Sequence, residues 1–289
     1  MSNTPIESTA IVTVTYNSAN QLPAFLESVA DSETVSLPVY VVENDSPAKS
    51  ETAEIAKAHG ARFISLPSNL GYGGAVNAAV RELDPAVSFV LISNPDVAFS
   101  TGLVSELSAW LAEHPSTGAV GPRILNTDGT TYPSARALPS LRTGVGHAVF
   151  SRIWESNPWS RHYRAEGITN DAARHAGWLS GSCLMVRRTA FDAVGGFDES
   201  YFMYFEDVDL GYRLGKEGWK NDYLPTTAAT HFGAQSTSSD PSRMLHAHHE
   251  SALRYLNRKY SQPWLAPLRT AIHLGLSVRL KLVLRRGRL

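Results

Sequence analysis

Short apolar runs alternate with longer amphipathic stretches along the first hundred residues. The run at 10–15 has the length and composition of a buried strand, and the apolar residues that follow it recur at the spacing of a helix. The alternation continues, with predicted strands at 38–42, 62–66 and 88–92 and predicted helices at 50–59, 76–83 and 103–111. Repeated strand–helix units predict a three-layer α/β fold with a mainly parallel central sheet.

The pattern changes in the second half of the chain. Residues 126–177 show no clear period and are rich in Arg, His, Trp and Pro, so we predict an irregular segment that forms a flap. A strand is predicted at 178–188, followed by helices at 206–216 and 244–260. We therefore divide the chain into an α/β domain at 1–236 and C-terminal helices at 237–289.

Composition excludes several classes of protein. With 289 residues and 43% apolar content, the chain is too hydrophobic to be disordered. The single Cys183 cannot form an internal disulfide, and no apolar leader precedes the first strand, so we predict a cytosolic protein. No zinc-ligand spacing or interleaved basic and aromatic pattern predicts binding to nucleic acid.

Charge is divided unevenly along the chain. The formal net charge is −1, but nine Lys and Arg residues and no acidic residue follow Glu250, which leaves −10 on the remainder (−1 minus 9). Residues 264–289 combine these basic residues with apolar ones, in runs too short to span a bilayer. They predict a basic amphipathic helix lying on an anionic membrane surface. The alternative is a terminal helix docked on the domain.

Polar clusters follow the predicted strands, where open α/β sheets bind their ligands. After the second strand, Asp45 is suited to accept hydrogen bonds from a base or ribose, or to cap the next turn. The glycine-rich segment 69–74 opens a helix and lets backbone N–H groups approach a phosphate, although an ordinary tight turn has the same composition. After the fourth strand, Asp96 is suited to bind a divalent cation or to cap the next helix.

An aromatic-rich turn at 195–213 places three carboxylates at the start of a predicted helix. Asp207 is the candidate general base, and Glu206 and Asp209 lie beside it. A carboxylate at a helix N-terminus is expected to stay ionised at neutral pH, which suits proton removal from a hydroxyl. Helix capping is the alternative for all three. His231 follows a strand-like run and is either a ligand to the same cation or a structural residue.

Taken together, these motifs resemble glycosyltransferase family 2, the inverting enzymes of the Rossmann-like GT-A fold, across residues 8–236. The motifs occur in the family's order: Val14-Thr15-Tyr16-Asn17, Glu43-Asn44-Asp45, the segment 69–77, Asn94-Pro95-Asp96, Ser180-Gly181-Ser182-Cys183 and the segment 205–209. The resemblance implies Asp207 as the base and Asp96 with His231 as ligands to Mg²⁺ or Mn²⁺. It implies donor contacts from Thr15, Tyr16, Asn17, Glu43, Asp45, Asn69, Gly71, Tyr72, Gly73, Asn77, Asn94 and Asp96. Acceptor contacts are expected from Trp178, Ser180, Gly181, Glu206 and Asp209.

One position departs from the family's Asp-x-Asp motif, because Asn94 replaces the first acid and removes a charge from the cation site. This Asn-Pro-Asp form and the aromatic turn resemble the bacterial rhamnosyltransferases of the family, which use dTDP-L-rhamnose. The resemblance implies an N-acetylglucosaminyl-diphospho-polyprenol acceptor, cell-wall linker synthesis, and attachment at the inner face of the cell membrane. A family 2 enzyme using a UDP-sugar and a non-catalytic nucleotide-sugar-binding module remain as alternatives. The sequence leaves the oligomeric state open.

Overall fold

The first part of the chain forms the parallel half of a central sheet. A computed structural model describes residues 4–140, 172–233 and 241–286. Its first elements are β1 (Thr9–Thr15), α1 (Leu22–Ser32), β2 (Val39–Glu43), α2 (Lys49–Ala58), β3 (Arg62–Ser65), α3 (Gly71–Glu82) and β4 (Phe89–Ser93). The strands lie in the order β3-β2-β1-β4 and are all parallel. Each predicted strand and helix of this half is confirmed.

The second half of the sheet is mixed in direction. It contains β5 (Val97–Phe99), α4 (Leu103–Glu113), β6 (Thr117–Leu125), β7 (Thr131–Tyr132), β8 (Ala135–Arg136), β9 (Arg174–Ala176), β10 (Trp178–Leu179), β11 (Cys183–Arg187), α5 (Arg188–Ala193), α6 (Glu206–Lys216) and β12 (Lys220–His231). The order continues β4-β11-β6-β12-β5, with β11 antiparallel to both of its neighbours and β12 parallel to β6. The predicted α/β class is confirmed. Parallel pairing dominates only the first half of the sheet. The sequence did not indicate this difference because the period of apolar residues does not encode strand direction.

Two sequence-based expectations in this half need correction. Part of the segment predicted to be irregular, 126–177, forms the short strands β7, β8 and β9; its residues 141–171 lie outside the described chain. The single strand predicted at 178–188 is two strands, β10 and β11, separated by a turn at 180–182. Both differences arise because two- and three-residue strands depend on their pairing partners and carry too few residues to show a period.

The core lies on both faces of the sheet, because side chains of successive strand residues point to opposite sides. Along β1, Val12 and Val14 belong to a cluster with residues of α3 and α6, whereas Ile11 packs with residues of α1 and α4. The helices therefore hold the sheet rigid from two sides. This rigidity fixes the loops at the carboxyl ends of β1, β2 and β4, where the candidate site lies.

Two C-terminal helices follow the sheet, α7 (Pro241–Lys259) and α8 (Ala266–Arg286). The predicted domain boundary at 236/237 falls outside the described residues. Helix α7 docks on the body through Tyr255, which is fully buried and packs with Tyr201 and Val208. None of the helices in the described parts of the chain is long and apolar enough to cross a membrane.

Helix α8 forms, but the amphipathic face predicted for it does not. Leu274, Leu276 and Val278 recur every second residue, and this spacing places successive side chains on opposite sides of a helix. Apolar and polar residues are therefore spread around the whole circumference. Trp264, just before the helix, is 76% exposed, and Leu274 and Val278 are also exposed.

Candidate active site

The carboxyl ends of β1 and β2 are joined by a buried hydrogen-bonded pair. Glu43 is fully buried; its Oε2 accepts a hydrogen bond from the Thr15 hydroxyl at 2.8 Å, and its Oε1 accepts one from the backbone N–H of Ser46 at 2.7 Å. Thr15 and Glu43, both predicted to contact the donor, are thus joined to each other in the buried base of the candidate site. Tyr16, Asn17 and Asp45 are exposed above it, and the last two adopt left-handed backbone conformations with φ of 55° and 60°.

A second asparagine, missed as a site residue by sequence reasoning, fixes the glycine-rich loop. The Asn44 side chain donates to Gly71 O at 3.1 Å and Asn69 Oδ1 at 3.0 Å, and its Oδ1 accepts from Leu70 N at 2.9 Å. Asn69 Oδ1 also accepts from Gly71 N at 2.9 Å. The start of α3 is therefore tied to the end of β2. Nothing in the sequence, including the adjacent Asp45, indicated this role of Asn44.

The glycines of this loop allow close contact with the aromatic turn that precedes α6. Gly71 has a φ of 74°, and a Cβ at this position would lie 2.3 Å from the carbonyl oxygen of Phe202. A Cβ at Gly73 would lie 2.8 Å from Cβ of Phe197. Packing thus accounts for these glycines independently of any phosphate contact.

Asn77, expected at the donor, is used by the protein itself. Its Nδ2 donates to Phe197 O at 2.8 Å and Glu199 Oε1 at 3.0 Å, and its Oδ1 accepts from Phe197 N at 2.9 Å. The side chain is 4% exposed. These contacts join α3 to the turn at 197–199, and the donor contact of Asn77 stays a prediction.

Asp96 and His231 meet at the next strand end. Asp96 Oδ1 lies 3.2 Å from His231 Nε2, and that nitrogen is buried without a hydrogen bond within the described residues. The backbone fixes the pair, because His231 lies opposite Val97 in the β5–β12 ladder and Asp96 O accepts from Phe232 N at 2.9 Å. Strand β5 separates Asp96 from α4, so it does not cap that helix. Asn94 begins the same turn, with its N–H bonded to Ser182 O at 2.9 Å.

A carboxylate oxygen facing an imidazole nitrogen with no hydrogen bond between them is a donor set that suits Mg²⁺ or Mn²⁺. No group of three His, Cys, Asp or Glu side chains gathers as a metal site in the portion of the chain described. A cation held by Asp96 and His231 would therefore need further oxygen ligands, which phosphates and water supply. The residues present fit the predicted cation.

The aromatic turn ends in two strained residues directly before the candidate base. Tyr204 and Phe205 have φ of 67° and 66°, the left-handed region that aromatic residues rarely occupy. Each such residue costs on the order of 1–3 kcal/mol and persists only when surrounding contacts enforce it. Helix α6 then begins at Glu206, so the turn sets the position of Glu206 and Asp207.

Asp207 is held by two backbone donors. Its Oδ2 accepts from Gly181 N at 3.0 Å and its Oδ1 from Val208 N at 2.8 Å. Burial raises the pKa of Asp207, although these bonds and the charge of Arg136 oppose the shift. We expected the helix N-terminus to favour the ionised form of Asp207. Burial outweighs that effect, and the pKa of Asp207 is raised.

Glu206 is the more strongly perturbed neighbour. It is 8% exposed, and its Oε2 is buried with no hydrogen-bond partner in the described regions. Burial, and then the negative charge of Asp207, raise the pKa of Glu206 to about 8. Two carboxyl groups this close cannot both ionise easily, because the negative charge of one disfavours ionisation of the other.

Tyr72 connects the glycine-rich loop to this pair. Its hydroxyl donates to Gly181 O at 2.7 Å, so Gly181 is bonded to Tyr72 through its C=O and to Asp207 through its N–H. Burial and the charges of Glu206 and Asp207 raise the pKa of Tyr72 well above its usual value. The structure thus brings Tyr72, which was expected at the donor, together with Gly181, Glu206 and Asp207, which were expected at the acceptor.

The other residues expected at the acceptor are engaged elsewhere. Asp209 is fully buried and forms ion pairs with Arg213 at 2.6 Å and Arg258 at 2.8 Å, which anchor α7 to α6; its acceptor contact stays a prediction. The hydroxyl of Ser180 pairs with that of Ser182 at 2.9 Å. The indole N–H of Trp178 donates to Ala137 O at 3.1 Å.

Arg136 is a site residue that the sequence did not reveal. It lies in the segment predicted to be irregular, yet β8 pairs with β10 and places Arg136 opposite Trp178. Its charge reaches Asp207, whose pKa it lowers. The only sequence signal was the Arg- and Trp-rich composition of the segment, which does not single out one arginine.

The sequence of this chain is similar to those of known proteins. A family model described as Glycosyl transferase family 2 matches residues 10–195. The N-acetylglucosaminyl-diphospho-decaprenol L-rhamnosyltransferase of Mycobacterium tuberculosis (strain ATCC 25618 / H37Rv) is 42% identical over 284 residues, covering 95% of this chain and 92% of the relative. The similarity therefore spans both the α/β domain and the C-terminal helices.

Solved structures share the fold at low identity. The mannosyltransferase PcManGT from Pyrobaculum calidifontis, in complex with GDP-Man and Mn²⁺, aligns with a TM-score of 0.58 at 15% identity over 97% of this chain and 79% of that one. GalNAc-T7 with UDP, GalNAc and Mn²⁺ aligns with a TM-score of 0.61 at 14% identity, covering 93% and 55%. The GT-A fold is confirmed, and with the family match and the mycobacterial relative it identifies the chain as a member of glycosyltransferase family 2.

Proposed function

We propose that the chain transfers L-rhamnose from dTDP-L-rhamnose to the sugar of an N-acetylglucosaminyl-diphospho-polyprenol, in synthesis of the cell-wall arabinogalactan linker. The observation that carries the proposal is the carboxylate of Asp207, held by the N–H groups of Gly181 and Val208 beside the buried Glu206, at the sheet edge where Asp96 and His231 also lie. Similarity to the mycobacterial relative, whose name states this acceptor and sugar, supports the substrate.

The donor lies over the carboxyl ends of β1, β2 and β4. Asp45 and Asn17 are exposed there and offer hydrogen-bonding groups to the nucleoside. The amino end of α3, held by Asn44, carries partial positive charge that favours the donor diphosphate. Asp96 and His231 would hold a divalent cation, which would neutralise negative charge on the departing nucleoside diphosphate.

Asp207 removes the proton of the acceptor hydroxyl. As the proton passes to the carboxylate, the hydroxyl oxygen forms a bond to the anomeric carbon of rhamnose and the bond from that carbon to the diphosphate breaks. Attack opposite the leaving group inverts the anomeric configuration. The N–H groups of Gly181 and Val208 hold the carboxylate in one orientation, and the protonated Glu206 can donate a hydrogen bond to a sugar hydroxyl.

The C-terminal tail brings the enzyme to its lipid-borne acceptor. Trp264, Leu274 and Val278 are exposed, and the sequence from 251 onward carries only positive formal charge. Together these features favour contact with an anionic bilayer at the inner face of the cell membrane. Deleting 264–289 should abolish sedimentation with phosphatidylglycerol vesicles and leave the circular dichroism melt of the body intact. Unchanged sedimentation would refute this contact.

The reaction itself is tested with the purified full chain. We would supply dTDP-rhamnose, a short-chain N-acetylglucosaminyl-diphospho-prenol and Mg²⁺ or Mn²⁺, and measure dTDP release and product mass. Addition of one deoxyhexose, absent in the Asp207→Asn variant, supports the proposal. Turnover of a UDP-sugar instead of dTDP-rhamnose would retain the family and overturn the donor.

A further inference from the structure

Arg136 is a rigidly held cation. Its guanidinium carbon lies 5.7 Å from the ring centroids of both Tyr132 and Trp178, and its Nε donates to Pro133 O at 2.6 Å. Arg136 is half-buried, and within residues 4–140, 172–233 and 241–286 its side chain donates this one hydrogen bond, so its two terminal nitrogens are not engaged by the described part of the chain. The side chain therefore presents one fixed edge to a ligand at little cost in conformational entropy.

The strand that carries Trp178 is fixed to the helix that carries the base. Gly211 of α6 has no Cβ, and one placed there would lie 2.7 Å from Cβ of Trp178, so strand and helix are in direct contact. The side chain of Asn221 ties them further, donating to Gly177 O at 3.2 Å and to Gly211 O at 3.1 Å. These contacts hold β10, and with it the paired strand β8, against α6.

Arg136 and Asp207 are linked through the backbone: Arg136 lies opposite Trp178 in the β8–β10 pair, and Gly181, three residues after Trp178, donates to Asp207 Oδ2 at 3.0 Å. Burial raises the pKa of Asp207, and the charge of Arg136 opposes that rise by a smaller amount, which disfavours proton uptake by the base. The cost is offset when the guanidinium binds an anion of the substrate, and its planar fork matches phosphate oxygens in a bidentate manner. The acceptor carries a diphosphate on the same sugar whose hydroxyl reaches Asp207, whereas Asp96 and His231 serve the donor diphosphate.

We propose that Arg136, stacked between Tyr132 and Trp178, binds the diphosphate of the acceptor lipid and so positions its sugar over Asp207. This inference rests on the proposed function, because it assumes an acceptor with a diphosphate next to the sugar. It assigns the ribbon formed by β8 and β10 to acceptor recognition. The donor diphosphate is the other source of the same chemistry, and the test separates the two.

The test compares Arg136→Gln and Arg136→Lys with wild type in the full chain. Arg62→Gln is the matched control, because Arg62 also stacks on a tyrosine, with its guanidinium 5.2 Å from the Tyr40 ring, but at the start of β3 and away from the site. We would measure KM for the acceptor and for dTDP-rhamnose. We would also measure the inhibition constants of dTDP and of a prenyl diphosphate of the same chain length that lacks the sugar.

We expect Arg136→Gln to raise the acceptor KM and the prenyl diphosphate inhibition constant together, by at least about tenfold, the scale of one charge-assisted contact. Arg136→Lys should show a smaller rise, and the donor KM and the dTDP inhibition constant should not change. The proposal is overturned if prenyl diphosphate does not inhibit wild type, or if its inhibition is the same in the variant. A rise in the donor constants instead would assign Arg136 to the donor. Absence of rhamnosyl transfer by wild type would refute the proposed function itself.

Discussion

The backbone N–H of Gly181 donates a hydrogen bond to Oδ2 of Asp207 across 3.0 Å, and the carbonyl of the same residue accepts one from Tyr72 across 2.7 Å. One peptide segment between β10 and β11 thus joins the glycine-rich helix α3 to the catalytic helix α6. Asp207 cannot rotate freely, since its other oxygen is held by Val208 N. This restraint keeps the proposed base in the geometry that proton transfer requires.

Replacing the base should remove most of the rate. Asp207→Asn keeps the size of the side chain but cannot accept the acceptor proton, so kcat should fall by roughly 10²–10⁴-fold with little change in donor binding. Steady-state dTDP release and a dTDP-rhamnose binding isotherm measure the two effects. Asp192→Asn, an exposed carboxylate paired with Arg188, is the control and should be near wild type. Near-normal turnover by Asp207→Asn would reject the assignment.

Glu206 should impose an alkaline limit on activity. As the pH rises through about 8, Glu206 loses its proton and places a second negative charge next to Asp207. The rate should therefore decline above that pH in wild type, and Glu206→Gln should remove the decline because glutamine stays neutral. A kcat profile from pH 6 to 10 measures this. An identical alkaline limb in both proteins would show that another group causes it.

The same carboxyl group should make folding stability depend on pH. Its pKa is about 8 in the folded chain against 4.5 as the reference value, so the folded state binds more protons between these pH values. Stability should fall as the pH rises from about 4.5 to 8. At neutral pH, Glu206→Gln should stabilise the protein by about 1–3 kcal/mol. Urea denaturation at pH 5 and 7.5 tests the sign, and a larger gain at pH 5 would contradict it.

The buried ion-pair cluster around Asp209 should be a stability element. Asp209→Asn leaves Arg213 and Arg258 without their buried carboxylate partner, which costs about 3–5 kcal/mol of unfolding free energy. Asp192→Asn breaks an exposed pair and should cost less than about 1 kcal/mol. Urea denaturation compares the two variants. Equal losses of unfolding free energy in the two variants would indicate that burial of Asp209 adds nothing to the stability that its ion pairs provide.

The cation assignment predicts a specific loss of metal affinity. His231→Ala removes one of two protein ligands, so the Mn²⁺ concentration for half-maximal activity should rise by at least about tenfold. Binding of Mn²⁺ in the presence of dTDP, followed by electron paramagnetic resonance, should weaken in parallel. The exposed His59, directly after α2, provides the control, since His59→Ala leaves the site untouched. Unchanged Mn²⁺ binding by His231→Ala would remove His231 from the cation site.

Local patterns determined the elements of this fold and the chemistry of its loops. The period of apolar residues predicted β1 to β4 and the helices between them, because burial of one face acts on neighbouring residues of the same segment. The order of the polar motifs likewise indicated the residues around Asp96 and Asp207, since side-chain type alone limits what each can bind. The same reasoning wrongly predicted an amphipathic helix for the tail, because apolar residues that alternate along a helix do not form one face.

Tertiary structure alone decided which of these polar residues face the site. Asn77 bonds to Phe197, 120 positions away, and Asp209 pairs with Arg258, 49 positions away, so both have partners within the protein. Arg136 meets Trp178 only because β8 and β10 pair. The sequence determined which side chains can carry charge or ligate a cation; their burial, partners and pKa values depend on residues distant in sequence, because dielectric environment and hydrogen bonding are properties of the folded chain.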